Sequence, residues 1–227
     1  MNEHLLDRPI WTSLGTRHAG FAVGNGLARR YPSDISPLAA TRDASDECQA
    51  ALREIVQNVG SAIITQKSGL VVPDGTCAAW DRELAQMTFD GSDAVDPSHS
   101  AIVALGDQDA GEMLALARLT EPGPFEARTH KLGQFWGIRQ EGRLVAMAGE
   151  RMQQPGFAEI SGVCTDPVHR GKGFGSALCR QVCRAILRRG ETPYLHVFQD
   201  NQTAIQVYEA LGFRRRETLR AIGLVLA

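Results

Sequence analysis

The stretch Val163-Cys-Thr-Asp-Pro-Val-His-Arg-Gly-Lys-Gly-Phe-Gly-Ser176 decides how this chain reads. Residues 157–165 have the alternation of a strand, Asp166-Pro167 ends it, and Gly171, Gly173 and Gly175 follow. Phe174, Ala177, Leu178, Val182, Ala185 and Ile186 then fall on one face of a helix that Gly190 closes. A strand that passes through glycines into a helix start suits an anion. The first helix amides lack partners, the helix dipole places positive charge there, and glycine lets the backbone approach a phosphate. Arg170 and Lys172 add charge at the same place. A tight turn without a ligand uses the same residues, so the loop alone leaves both readings open. Two other phosphate motifs fit worse: no GxxxxGK[ST] occurs, and the GxGxxG fingerprint fails at Ser176.

Outward from this segment the pattern is α/β. Downstream, Tyr194-Leu-His-Val-Phe198 reads as a strand, residues 201–211 as a helix with Ala204, Val207, Tyr208 and Leu211 aligned, and residues 220–226 as closing strand. Upstream, residues 109–119 read as a helix stopped by Pro122-Gly-Pro124. Residues 135–139 and 143–150 form a hairpin about 140–142, and a turn is expected at 153–156. The polar stretch 90–99 reads as a linker that divides the chain near residue 98. Before it, residues 47–59 have helical spacing, 61–65 and 70–72 read as short strands, and no chemical motif occurs. No repeat of about 20–50 residues is visible. The expected fold is a mixed α/β sheet with flanking helices (99–227), preceded by a smaller α/β lobe (1–98).

Composition sets bounds. Of 227 residues, 43% are hydrophobic and 22% charged, enough to build a core. The net charge of −2 gives no basic field for nucleic acid, and Arg29-Arg30, Arg188-Arg189 and Arg214-Arg215-Arg216 read as solvated faces. Five cysteines with no CxxC pair suggest neither a disulfide framework nor a zinc site, and no metal is expected. No basic-then-apolar leader opens the sequence and no apolar run nears the roughly 18 residues of a membrane span. A cytoplasmic location without membrane contact is the default expectation. Oligomeric state is not legible.

At this point a resemblance becomes specific. Arg170-Gly-Lys-Gly-Phe-Gly175 is similar to the Q/R-x-x-G-x-G/A signature of GNAT acetyltransferases, and Asn201-x-x-Ala204-x-x-x-Tyr208-x-x-x-Gly212-Phe213 resembles a second block of that family. The resemblance covers residues from about 101 to 227, and the part before residue 98 resembles, more faintly, the degenerate lobe of two-lobed members. It implies acetyl-CoA as co-substrate. The pyrophosphate would lie on Arg170, Gly171, Lys172, Gly173, Phe174, Gly175 and Ser176, and the pantetheine arm on the backbone of Val163, Cys164 and Thr165 and on Asn201. The implied reaction is direct acetyl transfer to a primary amine of a small molecule or peptide in a ternary complex. The alternative is a non-catalytic acyl-CoA-binding module. Which amine, and whether longer acyl groups are used, the sequence leaves open.

Transfer to an amine needs an uncharged nucleophile and a proton for the departing thiolate, but no covalent enzyme intermediate, so Cys164 is not required as a nucleophile. The resemblance makes Tyr208 the acid, against a reading as a core aromatic beside Ala204, Val207 and Leu211. It makes Glu159 the base. A carboxylate among apolar neighbours is expected to have a raised pKa, against a reading as a solvated strand-end charge. Asn201 also reads as a plain helix cap, and His196 as a satisfied core or pocket histidine. Phe125, Trp136 and the loop 122–132 are candidates to line an acceptor pocket.

Overall fold

The structure, a computed structural model, describes residues 4–91 and 101–227. Most of the expected 90–99 linker, with the division at residue 98, lies outside the described residues. The first half contains α1 (Pro9–Gly15), β1 (Val23–Gly24), β2 (Ala28–Arg30), β3 (Leu38–Thr41), α2 (Asp46–Val59), β4 (Ser61–Gln66) and β5 (Thr76–Phe89). The second half contains β6 (Ile102–Leu105), α3 (Ala110–Thr120), β7 (Phe135–Gln140), β8 (Arg143–Gln154), β9 (Phe157–Thr165), α4 (Phe174–Leu187), β10 (Thr192–Phe198), α5 (Gln202–Ala210) and β11 (Phe213–Leu226).

All strands join one sheet in the order β1-β2-β3-β4-β11-β5-β10-β9-β8-β7-β6. Two neighbouring pairs are parallel, β3 with β4 and β9 with β10, and each is connected through a helix, α2 and α4. The two halves therefore repeat one topology. Each also gives its last strand to the other: β5 lies between β10 and β11, and β11 lies between β4 and β5. The sheet thus crosses the division made at residue 98. The cores follow suit. Ala85 and Met87 of β5 pack in the core under α4, while Ile222 and Leu224 of β11 pack in the core under α2.

Strand alternation separates the layers of the second half. Ala146 and Ala148 of β8 face the α4 core, and Met147 between them faces the α3 core. The amphipathic stripe of α4 is buried at Phe174, Leu178, Val182 and Ile186, as its spacing predicts.

Two expectations are corrected, and two elements are new. Residues 70–72 form no strand; Leu70 instead packs from a loop against the α2 core. The turn at 153–156 is shorter, because β8 continues to Gln154. β5 and α1 were not read from the sequence. β5 lies between two strands, so its ladder is satisfied wholly by distant chain, and its first half carries exposed Cys77, Ala78 and Ala79 that blur any alternation.

Candidate active site

Strand β10 follows β9 only from Thr192↔Phe157 to Tyr194↔Glu159. Both strands continue, but they part. On this side the backbone of residues 160–165 has no strand partner, and a cleft opens between the strands. A bulge in β9 accompanies the parting. Gly162 and Val163 together oppose Ala148, and Gly162 takes φ +64°, where a side chain would be strained. A Cβ at Gly162 would also meet the Phe135 ring at 3.0 Å.

The loop after β9 is built to bend. The Asp166 carboxylate accepts from the Val168 amide at 3.0 Å, and Gly171 and Gly173 take φ +77° and +76°. No side chain caps the start of α4 and its first turn holds no acidic residue; Ala177 N–H donates to the Gly173 carbonyl. The result is an open cavity of about 410 Å³. Of the residues expected to hold the cofactor, Val163, Thr165, Arg170, Gly171, Gly173, Phe174, Gly175, Ser176 and Asn201 line it, and Tyr208 joins them. Two do not. Cys164 alternates to the opposite face, into the α3 core, where burial lifts its thiol to about 11. Lys172 points its ammonium at His169 Nδ1, 3.2 Å away.

A second cavity, of about 320 Å³, lies on the other side of the parting strands. Val163, Asn201, Ala204 and Tyr208 line both. The rest of its wall comes from distant places: Leu38, Ile63 and Thr65 of the first half, Trp80 and Leu84 of β5, and Pro122-Gly-Pro124 after α3. Arg151, His196 and Glu121 supply its ionisable groups. Phe125 and Trp136 are not in its wall. They pack in cores instead, Phe125 edge-on to Phe135 at 5.6 Å.

Tyr208 is half-buried, edge-on to Phe213 at 6.0 Å, and burial raises its phenol well above the usual value. It therefore keeps its proton at neutral pH. Asn201 caps α5, its Oδ1 accepting from Ala204 N–H at 3.1 Å, and lines both cavities while doing so.

Glu159 departs from expectation. Burial alone would raise its pKa, but the charge and hydrogen bonds of Arg151, with a hydrogen bond from His196, outweigh burial and lower it to about 2. The carboxylate is wholly buried. Arg151 Nε and Nη2 donate to it at 2.8 and 2.7 Å, His196 Nδ1 lies at 2.7 Å, and the Met152 amide donates at 3.3 Å. In this arrangement Glu159 reaches neither cavity and is a weak base. Its task is to hold Arg151 and His196. The amide of Gln86 fixes the histidine further. Gln86 Oε1 accepts from Arg216, and Nε2 donates to the Leu6 carbonyl and faces His196 Nε2 at 2.9 Å. His196 Nε2 is thus an acceptor, and its proton sits on Nδ1, toward Glu159. Sequence reading missed Arg151 and Glu121. Arg151 lies in the bulged stretch of β8, and Glu121 is a left-handed C-cap at φ +48°.

Comparison with known proteins bears on the family and the fold. Residues 135–221 match the family model described as FR47-like protein. A crystal structure of a GNAT-family protein from Novosphingobium aromaticivorans, described as an acetyltransferase, superposes with a TM-score of 0.93 at 41% identity, covering 99% of this chain and 100% of that one. Over 84 residues the chain is 37% identical to the N-alpha-acetyltransferase RimI of Mycobacterium tuberculosis, covering 36% of this chain and 52% of that protein. Over 73 residues it is 37% identical to the mycothiol acetyltransferase of Mycobacteroides abscessus, covering 32% and 25%. The chain spans about half the length, or less, of these curated relatives. Sheet, glycine loop and relatives together place the chain in the α/β class of acetyltransferase folds. The chain belongs to the GNAT family of N-acetyltransferases. No helix among the described residues is long and apolar enough to cross a membrane.

Proposed function

We propose that this enzyme moves the acetyl group of acetyl-CoA onto the primary amine of a small molecule or peptide by direct attack, with both substrates bound at once. The observation that carries the reading is the meeting of two cavities at Val163, Asn201, Ala204 and Tyr208. The glycine loop and the start of α4 hold the pyrophosphate, with Arg170 beside it, and the unpaired backbone of β9 takes the pantetheine arm. Acetyl-CoA supplies the thioester carbonyl at the junction. The amine enters from the second cavity in its uncharged form, its nitrogen bonds to that carbon and gives up a proton to solvent, and the carbon–sulfur bond breaks. Tyr208 gives its phenolic proton to the sulfur and is reprotonated from solvent. Cys164, buried on the far face with a raised pKa, takes no part. The test is two-substrate kinetics with an amine panel, following CoA release. Intersecting double-reciprocal lines and an unmodified protein mass are expected. Parallel lines with an acetylated cysteine would overturn direct transfer.

A further inference from the structure

The wall of the second cavity carries charge of both signs. Glu121, the one carboxylate in it among the described residues, lies at the end of α3 beside Pro122-Gly-Pro124. Arg151 is held on Glu159, four residues before Val163 in β9.

Arg151 is only half used by its partner. A guanidinium carries five N–H donors and stays charged. Glu159 takes one on Nε and one on Nη2. Both on Nη1 and the second on Nη2 remain, and among the described residues nothing accepts from them. Nη1 is not among the buried nitrogens that lack a partner. The side chain keeps 12% exposure and lines the cavity. Glu159 cannot turn to cover this second fork, because His196 Nδ1 and the Met152 amide hold its oxygens. A planar fork of two N–H groups, fixed from behind and opening on a cavity, is made for a bidentate anion.

We propose that Arg151 is the anion-recognising part of the acceptor pocket, so that the acceptor is an acidic amine whose carboxylate docks on the open Arg151 fork while its ammonium is drawn to Glu121. This names the acceptor class of the acetyl-transfer reading above and rests on it. The pairing of an anion-docking fork with a separate carboxylate in one wall calls for an amine and a carboxylate on different ends of the acceptor. It suits an ω-amino acid or a short peptide with an acidic end. A cavity of about 320 Å³ is of small-molecule size.

The test is calorimetric binding of 6-aminohexanoate and of 6-aminohexanamide to the full chain saturated with CoA. The two probes differ only at the far end. The acid is expected to bind at least about tenfold tighter, the low end of a charge-assisted bidentate contact. In Arg151→Lys the positive charge beside Glu159 stays but the second fork is gone. The acid-over-amide preference should fall to threefold or less, with amide affinity unchanged and the variant still folded by circular dichroism. Equal affinities in the unmodified protein, binding of neither probe, or a preference that survives Arg151→Lys in a folded variant each overturn the proposal. CoA titrated alone separates the two readings: its failure to bind sinks acetyl transfer, whereas CoA binding without acid preference sinks only the acceptor assignment.

Discussion

The units β3–α2–β4 and β9–α4–β10 share a topology, a strand entering a helix that returns to a parallel strand, yet the spaces between strands and helix differ in size. The space lined by β3, β4 and α2 measures about 10 Å³, against about 410 Å³ beside α4. Leu70 and Val71 line the small one from the loop after β4. The helix starts differ as well. At α2 the Asp43 carboxylate accepts from the Ser45 amide at 2.9 Å, and Asp46 and Glu47 fill the first turn. That helix start already has its negative charges. At α4 two left-handed glycines and the absence of acidic residues leave the positive end open. Below the parting strands the contrast repeats. The last parallel pair of the first unit is Ala39↔Ile64, and that of the second is Glu159↔Tyr194. One unit rests on an apolar floor, the other on a buried charge network. A duplicated topology therefore carries one site, because the chemistry lies in the loop and the floor and not in the connection of strands.

The largest expected effect breaks that floor. Glu159→Gln leaves the largely buried Arg151 guanidinium without its counter-charge, and unfolding should become easier by about 3–5 kcal/mol, measured by urea titration at pH 7. The sign with pH follows from its low folded pKa. Glu159 stabilises fully above its usual 4.5, and that share is lost as pH falls from there through about 2. The variant should lack this part of the acid slope. If it instead keeps its stability and loses turnover more than a thousandfold, Glu159 is the base after all and not a brace.

Next comes the helix start. Gly173→Glu gives α4 the acidic start that α2 has, and forces a side chain to φ +76°. CoA affinity should fall at least about 100-fold, because charge at a helix N-terminus then repels the pyrophosphate. A Cβ there meets nothing within 4 Å, so the fold should survive. Unchanged affinity in a folded variant would remove the contrast between the two units.

The smallest effect is at the junction. Tyr208→Phe keeps the ring against Phe213 and removes the proton source. A thiolate of ordinary pKa, about 8.5, leaves passably unaided, so kcat should drop by about 10²-fold or less, with CoA affinity and Tm unchanged. Full turnover would make Tyr208 a core aromatic only.

The sequence by itself determined the half of the candidate site around the glycine loop. The strand 157–165, the glycines at 171–175, the stripe of α4 and the cap at Asn201 are neighbours in the chain. Local spacing, turn chemistry and helix polarity specify them without distant partners. Tertiary structure alone decided the second cavity. β5 became part of the sheet only by lying between β10 and β11, and Arg151 met Glu159 only through the bulged pairing of β8 with β9. Arg151 also reversed the pKa that burial would have given Glu159. A buried charge takes its character from the partner brought to it, and residues 38, 80, 121, 151 and 196 share a cavity only after the strands of both halves have exchanged.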